Sequence, residues 1–79
     1  MGFHRRYIND DDIINLFRAK STQAVIDLYR NGADAIITSG DLANKIGNLI
    51  EHVDVNKVED YNKISTTIAR ASYKKRMKN

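Results

Sequence analysis

The residues of this chain with the clearest chemical potential are the basic side chains near its C-terminal end. Residues 63–79 contain six of them and no acidic residue: Lys63, Arg70, Lys74, Lys75, Arg76 and Lys78. On a helix that turns 100° per residue, four of the six align along one side, namely Lys63, Arg70, Lys74 and Lys78. Cations in register bind a phosphate backbone by releasing its counterions, and Thr67 and Tyr73 flank the stripe as a hydroxyl donor and a stacking ring. The pattern predicts a phosphate-binding surface, but cations in the last turns of a helix also stabilise it through its dipole.

A second basic pair lies near the other end of the chain. Arg5 and Arg6 stand between Phe3 and Tyr7. Because chain termini often lie close together, we expect this pair to extend the same basic surface.

The residue types needed for catalysis or metal binding are sparse. There is no cysteine, and the two histidines, His4 and His52, stand in no nucleophile or metal motif. His52 lies beside Glu51 and near Asp54, which leaves a weak metal-site alternative, but solvated side chains at a helix end are the favoured interpretation. The triplet 10–12 lacks the spacing and the glycine of a calcium loop. The sequence predicts no enzyme, no cofactor and no metal.

Helix start and stop signals divide the chain into four segments. The first helix is predicted to begin at Asn9 or Asp10, so that three aspartates occupy its first turn and complement the dipole. The second is expected to start at the N-cap Ser21 and to stop at Gly32. A short extended segment near residues 35–38 follows.

The third and fourth helices have the longer apolar stripes. Thr38 and Asp41 have capping-box spacing, and the fourth helix is predicted to begin near Asn56 and to run to about Lys75. Apolar residues at helical spacing predict a core made of Ile13, Ile14, Phe17, Val25, Leu28, Tyr29, Leu42, Ile46, Leu49, Ile50, Val53, Val58, Tyr61, Ile64, Ile68 and Ala71.

Residues 39–57 offer two interpretations. Leu42, Ala43, Ile46 and Gly47 match the first half of a helix-turn-helix motif, but Asn48 stands where an apolar residue is usual. The second half is apolar and acidic where base-reading side chains should project. We therefore favour one continuous amphipathic helix, in which glycine costs about 1 kcal/mol.

Together these features predict an all-α protein, a compact three- or four-helix bundle. Its 79 residues are expected to form one domain, with a basic N-terminal arm (1–9) and a basic C-terminal helix end (70–79). The absence of cysteine and of a long apolar segment predicts a soluble, cytoplasmic protein without membrane contact. Small domains often gain stability by self-association, so a homodimer is compatible with this length.

The function predicted first is a small non-enzymatic nucleic-acid-binding or regulatory protein that contacts phosphates. The alternative is a protein–protein adaptor or inhibitor that docks on an acidic partner. The abundance of Asn, Ile, Lys and Asp is compatible with an AT-rich genome, including that of a virus or phage.

Overall fold

A computed structural model describes residues 6–31 and 36–77, with the backbone alone for Arg6. The elements follow in the order β1 (Arg6–Asn9), α1 (Asp10–Ala19), α2 (Thr22–Asn31), β2 (Ile36–Ser39), α3 (Asp41–His52) and α4 (Val58–Met77). The predicted small helical fold is confirmed, because the described residues form four helices and a two-stranded sheet.

The first helix begins where its sequence predicts. The Asn9 side chain accepts a hydrogen bond from the Asp12 backbone N–H (2.8 Å), and the Asn9 N–H donates to the Asp12 carboxylate (3.0 Å). This reciprocal pair satisfies two N–H groups that the first turn of a helix leaves without partners.

The predicted cap of α2 is also present, because the Ser21 hydroxyl accepts from the backbone N–H of Ala24 (3.2 Å). The helix ends at Asn31, and its predicted stop at Gly32 lies outside the described residues.

The two strands pair in parallel, with Tyr7 opposite Ile37 and Ile8 opposite Thr38. β2 matches the extended segment predicted near residues 35–38, whereas β1 falls in the segment expected to be an arm. Ile8 is fully buried and gives β1 its anchor in the core. Each strand leads almost directly into a helix, so α1 and α3 both begin at the carboxyl edge of the sheet.

The predicted cap of α3 is wrong. Thr38 belongs to β2, and its hydroxyl donates a hydrogen bond to the side-chain oxygen of Asn44. The N-cap is Gly40, which has a φ of +119° and no side chain to offer. Instead the carboxylate of Asp10, at the start of α1, accepts from the Ala43 N–H (2.9 Å). A neighbouring helix thus supplies the cap that α3 lacks.

The helix-turn-helix alternative is wrong, because α3 runs without interruption through Gly47 to His52. Gly47 has a closely packed neighbour. A Cβ at this position would lie 3.2 Å from Cε2 of Tyr29, closer than carbon atoms normally pack. The glycine lets α2 and α3 approach one another.

All the helices and β1 contribute to one core, whose buried apolar residues are Ile8, Ile13, Ile14, Val25, Ile26, Tyr29, Leu42, Ala43, Ile46, Ile64 and Ile68. Most of the other predicted core residues are partly buried against it. Val58 is the exception, since it is 74% exposed at the first position of α4. That helix begins two residues later than predicted, after a turn in which Asp54 N–H donates to Asp60 (3.0 Å).

Candidate functional site

A groove forms where the first turns of α1 and α3 face the C-terminal half of α4. Its apolar lining consists of Ile14, Leu42 and Ala71, and Thr67 also lines it. Four cations line it, namely Lys45, Arg70, Lys74 and Lys75, together with three carboxylates, Asp10, Asp11 and Asp41. We call this feature the α4 groove.

The α4 groove unites half of the six basic residues predicted at the C-terminal end. Arg70, Lys74 and Lys75 line it, whereas Lys63 lies in a loose ion pair with Asp60 (3.9 Å) outside the lining. Arg76 is exposed and is not part of the lining. Two members of the predicted stripe, Arg70 and Lys74, therefore line the groove. Lys63 lies on the same side of α4 but outside the lining, and Lys75 lines the groove although it was not part of the stripe.

The remaining predicted residues lie largely outside the described part of the chain. Arg5 and Lys78 are not described, and only the backbone of Arg6 is, as the first residue of β1. The predicted union of the two basic ends stays a prediction.

Sequence reasoning missed Lys45. It lies four residues after Asp41 on α3, a spacing that by itself indicates a local ion pair on the helix surface. Its position on the flank of the buried Leu42–Ile46 stripe was the available signal. Packing of α3 against α4 then brings Lys45 into one groove with Arg70 and Lys74.

Two of the three carboxylates in the groove already have partners within the fold. Asp10 accepts from the backbone of Ala43, and Asp11 forms an ion pair with Lys75. Both members of the Asp11–Lys75 pair are substantially exposed, so this pair opens at little cost to stability. Lys75 can therefore exchange its internal partner for an anionic ligand.

The C-terminal turns of α4 extend beyond the last buried contact of that helix. Ser72 is buried and accepts a hydrogen bond from Nε of Arg18 (3.0 Å), which ties α4 to the end of α1. Every described residue after Ser72 is exposed, from Tyr73 to Met77. The basic side chains of this helical segment, Lys74, Lys75 and Arg76, are therefore accessible to solvent.

The side chains predicted to flank the basic stripe differ in their engagement. The Thr67 hydroxyl donates to the Lys63 carbonyl (2.7 Å), so its proton is used within the helix. Tyr73 is 64% exposed, and its ring is accessible for stacking.

A buried tyrosine lies next to Asp10. The Tyr29 hydroxyl donates to the Ala43 carbonyl (2.7 Å). The backbone N–H of Ala43 in turn donates to the Asp10 carboxylate. Burial, with a further contribution from the negative charge of Asp10, raises the pKa of Tyr29 to about 12. This network holds α1, α2 and α3 together.

The predicted metal-site alternative at His52 gains no geometric support. In its Nδ1-protonated form the exposed ring donates to the Asn48 carbonyl (2.8 Å) on its own helix. Within residues 6–31 and 36–77, no group of three or more His, Asp or Glu side chains is arranged to hold a metal ion. Among the helices described here, none is long and apolar enough to cross a membrane.

Comparisons with known proteins give no family for this chain. Neither protein-family models, nor curated proteins, nor solved structures contain a match to it. The features of the chain that bear on its function are therefore the α4 groove and the exposed surfaces of its helices.

Proposed function

We propose that this protein is a small, non-enzymatic binding protein that contacts nucleic-acid phosphates through the α4 groove and the exposed end of α4. The observation that carries the proposal is the convergence of Lys45, from α3, with Arg70 and Lys74, from α4, in one groove. Cations held together by a fold rather than scattered over a surface present a defined spacing to a phosphate backbone.

The two kinds of cation have different roles in such a site. The guanidinium of Arg70 can bind a phosphate through two parallel hydrogen bonds, whereas Lys45 and Lys74 act as point charges. These three cations can make about three phosphate contacts, and Lys75 and Arg76 would raise the number to about five. That is roughly half the number made by a dedicated DNA-binding domain. Binding is accordingly weak and strongly dependent on salt.

The carboxylates of the groove set a limit on which nucleic acids are bound. Asp10, Asp11 and Asp41 repel a phosphate that approaches the groove from the first turns of α1 and α3. A phosphate backbone that runs along the α4 side of the groove avoids them and meets Arg70 and Lys74 first. Recognition of this kind reads phosphates rather than bases, so sequence specificity is low.

The second candidate is an adaptor or inhibitor that docks on an acidic protein segment. The observation in its favour is that apolar residues, Ile14, Leu42 and Ala71, line the groove together with the cations. A peptide with alternating acidic and apolar side chains would use both features, whereas a phosphate backbone uses the cations alone. A regulatory role, a cytoplasmic location and a viral or phage origin remain predictions from the sequence.

The test is a binding series with labelled single- and double-stranded DNA and RNA, measured by fluorescence anisotropy. At about 50 mM salt we expect binding to all four probes, because electrostatic attraction is strong there. With about three phosphate contacts on duplex DNA, raising the salt to about 200 mM should weaken binding by roughly 40-fold. If no probe binds at the lower salt concentration, the nucleic-acid proposal is wrong and the acidic-protein alternative replaces it.

A further inference from the structure

A second surface of α4 lies opposite its buried face and includes none of the residues that line the α4 groove. Six exposed residues follow one another along it at alternating spacings of three and four: Glu59, Asn62, Thr66, Ala69, Tyr73 and Arg76. This is the spacing at which one helix presents a continuous seam to another helix. We call these six residues the outer seam.

Three large apolar side chains are exposed along this surface of α4. Of the four that are strongly exposed in the described part of the chain, three belong to α4: Val58 (74%), Tyr73 (64%) and Met77 (69%). Tyr73 lies in the outer seam, and the other two flank its ends. They give each end of this otherwise polar surface apolar area that a second helix can cover.

The outer seam is complementary to itself when reversed. If a second α4 runs antiparallel, with the two-fold axis midway between residues 67 and 68, Glu59 faces Arg76 of the other copy. Asn62 then faces Tyr73, and Thr66 faces Ala69 at the centre, where small side chains let two helices approach closely. Because of the symmetry each pair occurs twice.

Charge favours the antiparallel arrangement over the parallel one. The first turn of α4 contains Glu59 and Asp60, and its last turn contains Lys74, Lys75 and Arg76. Parallel helices would place like charges side by side at both ends, whereas antiparallel helices pair each acidic end with a basic one. The opposed helix dipoles add to the same preference.

We propose that a second copy of this chain occupies the outer seam, forming an antiparallel α4–α4 homodimer. The 20-residue helix is about 30 Å long, and its seam is partly polar, so the dimer is weak and forms with rising concentration. Association through the outer seam does not require nucleic acid and is measured in its absence, although Arg76 belongs both to the seam and to the exposed end of α4. Arg70 and Lys74, which line the α4 groove, are not part of the seam.

The test uses charge reversal at the two ends of the seam. Glu59→Arg alone places two arginine side chains opposite one another at each end of the dimer. Arg76→Glu alone places two glutamate side chains there instead. Since each clash occurs twice, we expect each variant to raise the dimer dissociation constant about tenfold or more in sedimentation velocity. An equimolar mixture of the two variants restores contacts between opposite charges, because one end of the mixed dimer carries the two introduced side chains and the other end carries the two original ones.

The mixed dimer therefore has an opposite-charge pair at each end, and it should associate at least as tightly as the original protein. Failure of the mixture to associate more tightly than either variant alone would overturn the antiparallel dimer. So would a wild-type protein that stays monomeric at about 1 mM, a concentration at which a dimer with a dissociation constant of about 1 mM is already substantially populated.

Controls separate this interface from general charge and folding effects. Glu51→Arg, an equal charge change at an exposed position of α3, should leave association unchanged. Ala69→Arg, at the exposed centre of the seam, should give a monomer with an unaltered circular dichroism spectrum. A dimer that survives Ala69→Arg would also contradict the proposed seam.

Discussion

At the scale of single residues, Asp10 contributes to two helices at once. It is the first residue of α1, where its charge complements the dipole, and its carboxylate caps α3 at Ala43. A side chain on Gly40 would collide with it, since a Cβ there would lie 2.5 Å from Oδ1 of Asp10. The glycine and the aspartate thus form one joint between the two helices.

We expect Asp10→Ala to lower the free energy of unfolding by about 1–2 kcal/mol, because the Ala43 N–H loses its acceptor. Urea denaturation followed by circular dichroism would measure the loss. Asp11→Ala is the matched control, since the neighbouring carboxylate makes only an exposed ion pair with Lys75 and should cost less than about 1 kcal/mol. Equal losses in the two variants would show that Asp10 does not act as a cap.

Tyr29 gives the protein a pH dependence at the alkaline end. An unfolded tyrosine ionises near pH 10.0, whereas in the fold its pKa is about 12. The raised pKa means that the stability contributed by the neutral form is fully present below about pH 10 and is lost as the pH rises towards about 12. Stability measured over this range should therefore fall more steeply in the wild type than in Tyr29→Phe. Parallel curves for the two proteins would contradict the burial of the hydroxyl group.

At the scale of the elements, α3 depends on close contact with α2. Gly47 is a poor helix former, yet a Cβ there would press on the Tyr29 ring, which its hydrogen bond to Ala43 holds in place. The helical propensity gained with alanine, about 1 kcal/mol, is therefore offset by crowding.

A double-mutant cycle tests this contact. Gly47→Ala should give no net stabilisation in the wild type, but about 1 kcal/mol of stabilisation in a Tyr29→Leu background, where the ring is absent. Thermal and urea unfolding of the four proteins would give the coupling energy. The same effect of Gly47→Ala in both backgrounds would mean that the two residues do not constrain one another.

The elements also show what the sequence could predict. Local signals predicted the start of α1 at Asn9 or Asp10, the cap at Ser21 and the continuity of α3, and all three are confirmed, with Asn9 as the N-cap and Asp10 as the first helical residue. The strand β1 was missed because four residues give no readable periodicity and its partner is distant in sequence. The cap of α3 was misassigned for a similar reason, since its acceptor, Asp10, comes from another helix.

In the candidate site, too, the features that depend on one helix could be predicted, whereas those that depend on tertiary packing could not. The helical periodicity of α4 grouped Arg70 with Lys74, and both line the α4 groove, because their relative positions depend on one helix alone. Lys45 and the acidic side of the α4 groove could not be predicted, since they come from α1 and α3 and meet α4 only through tertiary packing. Val58 was placed in the core because a stripe does not reveal where the packing partner ends.

At the scale of the whole molecule, positive charge is concentrated near the C-terminal end of the sequence, but part of it lies beside acidic residues in the fold. The chain carries a net charge of +3, with six basic and no acidic side chains in residues 63–79. The fold places three of these basic residues, Arg70, Lys74 and Lys75, beside the acidic first turns of α1 and α3. Lys63 and Arg76 are exposed elsewhere on α4. Positive charge is thereby concentrated toward the C-terminal end of α4. The described residues after Ser72 are all exposed and make no buried contact.

The most direct test of the proposed function is the salt dependence of duplex DNA binding by the double variant Arg70→Gln, Lys74→Gln. Both side chains are exposed, so the fold should be retained. The control, Lys20→Gln with Lys57→Gln, removes the same charge at exposed positions that do not line the groove. Loss of two phosphate contacts should weaken binding and reduce the slope of log affinity against log salt by about two, while the control keeps the wild-type slope. Equal slopes for the groove variant and the wild type would contradict phosphate binding in the α4 groove.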